Sequence, residues 1–386
     1  MRIGSSGDWH LDCGLDADIE RSVHQIAKVF RDGNVDMIAL PGDLFDRKST
    51  PEGRNLLRAL IQEMAEIAPV IICYGNHEEP GDLDIFGQVR SKFSITVFDR
   101  PDSFCPASAY GPDCMIHVLP WFTKSTWQAA HAGESKEEGD IAVSRLAMDF
   151  LKQAVYLSPK DRKHVLISHL TIDGARLENH QPFKGEGIKF GRYDLEEVGF
   201  YAGILGHIHL RQQFEEASPL FFYNGSPAAL DYGESPEKYC SILDTNGVGV
   251  EWYRLETVDR FSLELEWGTG ISRFEASYLG ITGVRERIPG ARVRALLKVP
   301  EGEDIAHAKA EVERMIMEAG ALETKVEPQV VPKTLVRSVD ISSAERLPDK
   351  LDAYWKANDN YPSVEDQQGM KMKLTELETG SVFRST

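Results

Sequence analysis

Residues 37–46 read Met37-Ile38-Ala39-Leu40-Pro41-Gly42-Asp43-Leu44-Phe45-Asp46. Four apolar residues in a row are the pattern of a short strand buried on both faces. The glycine after it permits a tight turn, which lifts Asp43 into the space beyond the strand end. Open α/β sheets place their sites there, outside the carboxyl ends of the strands.

The same pattern recurs on either side. Met1–Ser6 reads as a strand that delivers Asp8-Trp9-His10, and Val70–Cys73 as one that delivers Gly75-Asn76-His77-Glu78. Between them Asp16–Arg31 reads as a helix. Glu52–Ile67 carries a helical stripe of Leu56, Leu57, Leu60, Ile61, Met64 and Ile67. This β-α-β-α-β rhythm predicts an α/β fold with a largely parallel sheet under covering helices. Further strands are expected at Met115–Leu119, Val165–Ser168 and Ala202–Leu205, with a helix at Lys136–Tyr156. Leu220–Tyr223, Tyr239–Asp244 and Gly249–Leu255 follow as strands joined by turns, including Asn246-Gly247. The later strands are expected to form a second sheet packed against the first.

Two of those strands end in Ser168-His169 and Gly206-His207-Ile208-His209. Singly these motifs say little: an Asp-x-His is usually a turn or a cap, and a lone histidine is usually structural. Their conjunction says more, because five of the eleven histidines fall in them, each at a strand end and in one order. Carboxylate, imidazole and amide oxygen together suit Mn²⁺, Fe²⁺ or Zn²⁺. Two such cations, roughly 3.5–4 Å apart, can clamp the attacking and leaving oxygens of an in-line displacement at phosphorus. One bridging carboxylate and three further ligands per metal would be met by Asp8, His10, Asp43, Asn76, His169, His207 and His209. His24, His117, His131, His164, His180 and His307 lack such context and read as structural or surface residues.

Bulk properties set the frame. With 386 residues and 42% hydrophobic content, the chain can bury a large core in two or three domains. Its formal net charge of −18 is not that of a general nucleic-acid binder. A polyanionic substrate would be held by local basic groups, backbone N–H groups and metal ions. Five scattered cysteines without a C-x-x-C pair read as reduced thiols of a cytoplasmic protein. The acidic N-terminus (Asp8, Asp12, Asp16, Asp18, Glu20) is not a secretory signal, and no apolar run is long enough to span a bilayer.

A smaller unit is expected downstream: a strand at Arg292–Val299, a helix at Asp304–Ala319 followed by Gly320, and a strand at Thr324–Val331. The helix should turn Ile305, Ala308, Val312, Met315, Ile316 and Ala319 inward. A boundary near Gly268–Gly270 gives a first domain over 1–267 and a second over 268–340. The remainder, 341–386, holds helical segments broken around Asn358–Pro362.

The series Asp8-x-His10, Gly42-Asp43-x-x-Asp46, Gly75-Asn76-His77-Glu78, His169 and Gly206-His207-x-His209 resembles the calcineurin-like metallophosphoesterase superfamily. More narrowly, Asp8-Trp9-His10-Leu11, Asp43-Leu44-Phe45-Asp46 with Pro51, Leu119-Pro120-Trp121 and Tyr223-Asn224-Gly225-Ser226-Pro227 … Tyr232-Gly233-Glu234 resemble the SbcD-type DNA repair nucleases. The start, Met1 to Gly7, departs from that pattern, since a more apolar strand and a serine before the aspartate are usual; no ligand is affected.

The resemblance implies two packed mixed β-sheets flanked by helices, a small α/β capping domain and a C-terminal helical region. It implies an Mn²⁺-dependent exo/endonuclease for DNA ends that uses two divalent metal ions. Asp8, His10, Asp43 and His209 would hold one ion, and Asp43, Asn76, His169 and His207 the other. His77 would act near the leaving oxygen as proton donor or transition-state stabiliser. Asp46 and Glu78 would orient histidines or ligands. An SbcC-like coiled-coil ATPase would bind the C-terminal region, for which Leu347, Leu351, Tyr354 and Trp355 recur at helical spacing; the same residues could pack on their own chain. A homodimer through helices near Glu52–Ile67 and Asp84–Lys92 is implied as well. A phosphatase or nucleotide phosphodiesterase of the superfamily would use the same ligands. A catalytically idle scaffold for DNA or the ATPase is the third reading, and the intact ligand set weighs against it.

Overall fold

The computed structural model describes residues 1–106, 114–121, 136–177, 189–214, 220–247, 249–268, 284–332, 344, 346–358 and 361–379. His131, His180, and Gly270 of the expected boundary lie outside the described residues.

Strands β1 (Arg2–Ser5), β2 (Met37–Leu40), β3 (Val70–Cys73) and β4 (Ile95–Phe98) pair in parallel. Every residue of β2 and β3 is buried, as their unbroken apolar runs require. Helix α1 (Asp16–Asp32) turns Ile19, Val23, Ile26, Ala27 and Phe30 inward at helical spacing. Helix α2 (Pro51–Ala65) begins where Pro51 fixes the first φ and the Thr50 side chain accepts the Gly53 N–H, a cap worth about 1 kcal/mol. It buries Leu57, Leu60, Ile61 and Met64. Asp84–Gln88, expected to be helical, is a single 3₁₀ turn.

The second sheet is built from β5 (Asp102–Phe104), β6 (Cys114–Leu119), β7 (Lys163–His169), β10 (Ala202–Gly206), β11 (Gln212–Gln213) and β12 (Leu220–Tyr223), in the order β11-β12-β10-β7-β6-β5. Two short strands, β8 (Thr171–Ile172) and β9 (Lys189–Phe190), pair only with each other. Helices α3 (Lys136–Leu157) and α4 (Arg192–Val198) contribute Leu151, Val155, Leu195 and Val198 to a core with Leu166, Leu205 and Phe221.

One expectation fails here. Strands β13 (Tyr239–Asp244) and β14 (Gly249–Arg254) do not extend the second sheet. The chain crosses back, and β13 pairs antiparallel with β1, Ile3 opposite Leu243. The first sheet therefore runs β14-β13-β1-β2-β3-β4, and both sheets are mixed. They pack face to face: Ile3, Met37, Ala39 and Ile71 of the first meet Ile116, Val165, Ile167, Ile204 and Phe222 of the second in one buried cluster. Return of β13 and β14 to β1 fixes the edge of the strand that carries Asp8.

Downstream, β15 (Arg260–Glu266), β16 (Arg292–Pro300) and β17 (Glu323–Val331) form a three-stranded sheet. Helix α5 (Ile305–Glu318) buries Ala308, Val312 and Ile316, while Ile305 in its first turn is exposed. Gly320 follows at φ +95°, the left-handed end that favours glycine. Contacts divide the chain into two units, Met1–Leu297 with Ile305–Pro328, and Lys298–Asp304 with Gln329–Thr386. The second unit holds helices α6 (Leu347–Asn358) and α7 (Val364–Thr379). Trp355 is buried there beneath the Lys371 ammonium, which also pairs with Asp352 at 2.5 Å. Among the described residues no helix is long and apolar enough to cross a membrane.

A buried histidine pair between β6 and β7 bears on stability. His117 Nε2 lies 2.9 Å from His164 Nδ1, and its Nδ1 lies 2.8 Å from Ser103 Oγ. Burial, then the neighbouring His164, pulls His117 down to about 4. The fold therefore favours the neutral ring, and the unfolded chain takes up the proton first. Stability from this residue is complete above about pH 6.5 and is lost as the pH falls toward 4, by roughly 3 kcal/mol. Denaturant titrations at pH 7 and 4.5 should show a smaller pH-dependent loss for His117→Gln than for the parent. Equal losses would remove His117 from the account.

Candidate metal centre

The five motifs meet at one end of the two facing sheets. Past β1 and β2 the chain runs on side by side: Asp8 N–H donates to Gly42 O (3.0 Å), His10 N–H to Asp43 O (3.0 Å) and Leu11 N–H to Leu44 O (2.9 Å). The intervening Trp9 is fully buried and donates its indole N–H to Ser6 Oγ at 3.0 Å. Asp8 and His10 are thereby set on the opposite side from the Trp9 anchor.

Four of the expected ligands hold unusual backbone. Asp8, His10 and Asp43 have φ of 52°, 51° and 51°, and His207 has φ 100°. Such conformations are uncommon outside glycine and cost of order 1 kcal/mol or more each, so the surroundings must enforce them. Glycine supplies the rest of the fit. Gly42 sits at φ +90°, and a Cβ there would lie 2.7 Å from His169 Nδ1. Gly75 is needed for close approach, since a Cβ on it would lie 2.2 Å from Asp43 Oδ1.

Asp43 stands at the centre. Its Oδ2 lies 3.3 Å from His169 Nε2, 3.7 Å from His10 Nε2 and 4.0 Å from His77 Nε2. On one side, ligand atoms of Asp8, His10 and His209 lie within 4.8 Å of one another. His10 Nε2 and His209 Nε2 face each other at 3.1 Å. On the other, Asp43, His169 and His207 form a second such group. Asn76 Oδ1 joins it, 2.9 Å from His169 Nε2 and 2.7 Å from His207 Nδ1. All seven expected ligands are thus brought together as two groups that meet at Asp43.

The electrostatics follow from burial of like charges. Asp8 and Asp43 are both almost fully buried. Burial, against the pull of the surrounding histidines, raises Asp8, and the Asp43 charge adds to the rise. Burial pushes Asp43 up too, but His169, His10 and His77 reverse it and hold this carboxyl below the usual range. Burial lowers His169, and Asp43 and Asp8 more than compensate, lifting it to about 9. Burial and His169 push His207 down to about 3. Buried carboxylates, ring nitrogens and an amide oxygen converging in this way are the donor set of divalent cations, which would relieve the carboxylate repulsion.

The flanking residues hold this arrangement. Glu78 accepts backbone N–H groups from Asp43 (3.1 Å), Leu44 (2.6 Å), Phe45 (3.1 Å) and Gly75 (2.7 Å), so one carboxylate ties the second and third motifs together. Burial and Asp43 push it up to about 7. Asp46 Oδ1 lies 3.3 Å from His10 Nδ1. The Asp46 carbonyl engages His77 Nδ1, which leaves His77 Nε2 on the Asp43 side, and about a third of the His77 side chain is exposed.

Three contributors have no role that the sequence alone assigns. The Pro41 carbonyl lies 2.8 Å from His169 Nδ1. The Trp121 ring stacks on His207, centroids 5.0 Å apart. Glu234 Oε1 lies 3.1 Å from His209 Nδ1. Burial raises Glu234, and His209 with Lys238 overrides that to bring it to about 2. Trp121 and Glu234 stand in sequence blocks that carry the family resemblance, but nothing in their spacing links them to a particular histidine.

Comparison with known proteins is informative at the level of family. Solved structures with a similar chain path include a dimetal phosphatase from Danio rerio (12% identity, 67% of this chain and 97% of that one, TM-score 0.44). Others are TT1561 of Thermus thermophilus (12%, 66% and 98%, 0.41) and the purple acid phosphatase PPD1 from yellow lupin, Lupinus luteus (12%, 68% and 54%, 0.38). No curated protein matches the chain. The calcineurin-like phosphoesterase family model matches residues 1–211, more than half of the sequence and the whole span of the five motifs. The chain belongs to this family of metal-dependent phosphoesterases.

Proposed function

We propose that the chain is an Mn²⁺-dependent DNA exo/endonuclease that hydrolyses phosphodiester bonds at DNA ends, the nuclease subunit of an SbcC–SbcD-like repair and recombination complex. The observation that carries the reading is the convergence of Asp8, His10 and His209 on one side of Asp43, and of Asn76, His169 and His207 on the other. DNA, rather than a phosphomonoester, is favoured by the block from Tyr223 to Glu234, which resembles the nucleases and packs onto His209. The three-stranded sheet and the two terminal helices follow in the order of those nucleases. In this reading 1–267 is the nuclease domain, 268–340 a capping domain and 341–386 the docking region.

Asp8, His10, Asp43 and His209 would hold one cation, and Asp43, Asn76, His169 and His207 the other. When bound, two divalent cations neutralise the phosphate and lower the pKa of an attacking water. The chain supplies the rest. His77, fixed through Nδ1 on the Asp46 carbonyl, presents Nε2 toward the reacting end of the site. In its imidazolium form it donates that proton to the leaving oxygen, with Asp43 4.0 Å away to support the positive charge. The net charge of −18 leaves substrate binding to these local groups.

Linear single- and double-stranded DNA, assayed with Mn²⁺ beside nitrophenyl phosphate, tests the reading. DNA cleavage is expected. Hydrolysis of nitrophenyl phosphate alone would make the protein a phosphatase, and neither reaction would make it a scaffold.

The docking region gives a separate test. Of the four expected anchors Leu347 and Tyr354 are exposed, whereas Trp355 is buried against its own chain; Val364, Met370, Met372 and Leu377 are exposed as well, a surface suited to an apolar groove on a coiled-coil ATPase. Removing residues after Asp340 should leave Mn²⁺-dependent cleavage of single-stranded DNA largely intact, because every ligand precedes Leu210. It should abolish co-purification with an SbcC-like ATPase. Unchanged ATPase binding would sink the docking assignment and leave the nuclease untouched. The exposed flank of α2 with the 3₁₀ turn at Asp84–Gln88 is the proposed homodimer surface.

A further inference from the structure

We propose that Glu234 is a positioning residue for His209, holding its imidazole in the tautomer that directs Nε2 into the metal centre, with Lys238 and the Leu230 N–H clamping the carboxylate in place. This rests on the reading of His209 as a ligand.

Geometry carries the inference. Glu234 Oε1 lies 3.1 Å from His209 Nδ1. A carboxylate can only accept, so the shared proton sits on Nδ1 and the Nε2 lone pair is left for the centre. Nε2 does point there, 3.1 Å from His10 Nε2. The other oxygen, Oε2, accepts from Lys238 Nζ at 2.8 Å and from the Leu230 N–H at 3.0 Å, while the Ser226 hydroxyl donates to the Ala228 carbonyl at 2.9 Å. Lys238 Nζ also reaches Ser226 Oγ at 3.0 Å. Each carboxylate oxygen thus has a separate task, one toward the histidine and one toward the clamp.

The same loop grips the backbone of His209. The Ser226 N–H donates to the His209 carbonyl at 3.2 Å. Gly225, at φ +77°, lies so close that a Cβ on it would stand 2.3 Å from that carbonyl oxygen. Asn224 then ties the loop to the strand that delivers Asp8: its Nδ2 donates to Ser5 Oγ at 2.8 Å, and its Oδ1 accepts from Ser241 Oγ at 2.6 Å. One loop therefore sets both the main chain and the ring of His209 relative to β1.

Net stabilisation is a weak account of the buried pair. Lys238 and Glu234 side chains are only 2% and 8% exposed. Burying such a pair costs desolvation that apolar residues of similar volume avoid, so buried ion pairs seldom add net stability. What the pair does provide is a carboxylate fixed in direction. Carboxylates hydrogen-bonded to ligating histidines set ring orientation and basicity, and their loss costs roughly 10–100-fold in metal affinity.

The test uses the full-length chain, with Glu234→Met, which removes the acceptor facing Nδ1, and the double variant Glu234→Met/Lys238→Met, which removes both charges together and avoids a stranded ammonium. Nitrogen-15 NMR of the metal-free protein should find His209 protonated on Nδ1 in the parent and shifted toward the Nε2–H tautomer in both variants. Calorimetry with MnCl₂ alone should give the variants roughly 10–100-fold weaker affinity at one of two sites. Thermal melts identify a variant that fails to fold, in which case Glu234→Asp, with a shorter reach to Nδ1, takes its place with the same expectation. An unchanged His209 tautomer, or two Mn²⁺ sites of parental affinity in the variants, would overturn the proposal. If the parent binds no Mn²⁺, the ligand reading of His209 fails, while the tautomer measurement still decides the Glu234 contact.

Discussion

Asp43→Ala is expected to lose both metal ions at once and to reduce phosphoester hydrolysis by more than any other single change at the site. The reason is position. Asp43 Oδ2 faces His169 Nε2 at 3.3 Å on one side and His10 Nε2 at 3.7 Å on the other. The other expected ligands divide around it, Asp8, His10 and His209 on one side and Asn76, His169 and His207 on the other. Removing a terminal ligand weakens one ion, whereas removing the shared carboxylate weakens both and leaves the surrounding rings without their counter-charge. Asp43 also has φ 51°, which alanine tolerates less well than aspartate, so local distortion adds to the effect. Asp43→Asn separates the two contributions, because asparagine accepts that backbone and keeps the shape while removing the charge. Elemental analysis of Mn²⁺-loaded protein should find both variants far below two ions per chain. Two fully occupied sites in Asp43→Asn would sink the bridging role.

His77→Ala is expected to do the reverse, keeping the metals and losing the reaction. His77 adjoins the expected ligand Asn76, yet its Nδ1 is committed to the Asp46 carbonyl, and its Nε2 stands 4.0 Å from Asp43 Oδ2. Its ring packs edge-on against His10, centroids 4.7 Å apart, and about a third of its side chain is exposed. That is the placement of a group that meets substrate. Cleavage should fall by roughly 10²–10⁴-fold, the range for a lost general acid, with unchanged Mn²⁺ stoichiometry. His77→Ser serves as a second variant. Loss of one Mn²⁺ along with activity would make His77 a ligand, for which its proximity to His10 and Asp46 leaves geometric room.

The parts of the fold that are legible in the sequence share a physical cause. The runs Met37–Leu40 and Val70–Cys73 are apolar throughout because both faces are covered, so strand and burial are written in the same residues. Each is followed within three residues by a glycine and an expected ligand, Gly42-Asp43 and Gly75-Asn76, so the candidate site is legible through the sheet. Less visible is anything that depends on partners distant in the chain. Tyr239–Asp244 is readable as a strand, but its alternation cannot say which sheet edge it joins; pairing with Arg2–Ser5 across the length of the domain decides that. Arg260–Glu266 does alternate, with Phe261, Leu263 and Leu265 buried, yet it stands next to a glycine-rich stretch that suggests a boundary. Two-residue strands such as Gln212–Gln213 have no period to read.

The site divides in the same way. The expected ligands are legible because metal chemistry demands particular side chains, and these stand at strand ends. Their supports are not, since a backbone carbonyl such as Pro41 O has no sequence signature and Glu234 finds His209 only through the folded loop. The positive φ at Asp8, His10, Asp43 and His207 is equally hidden: aspartate and histidine tolerate that conformation without announcing it.

The central claim is that seven side chains form one dinuclear centre bridged by Asp43. Anomalous scattering from crystals soaked in MnCl₂ addresses it most directly. The account predicts two peaks, one among Asp8, His10 and His209 and one among Asn76, His169 and His207, with Asp43 between them. A single peak, or a pair in which Asp43 touches only one ion, would contradict it.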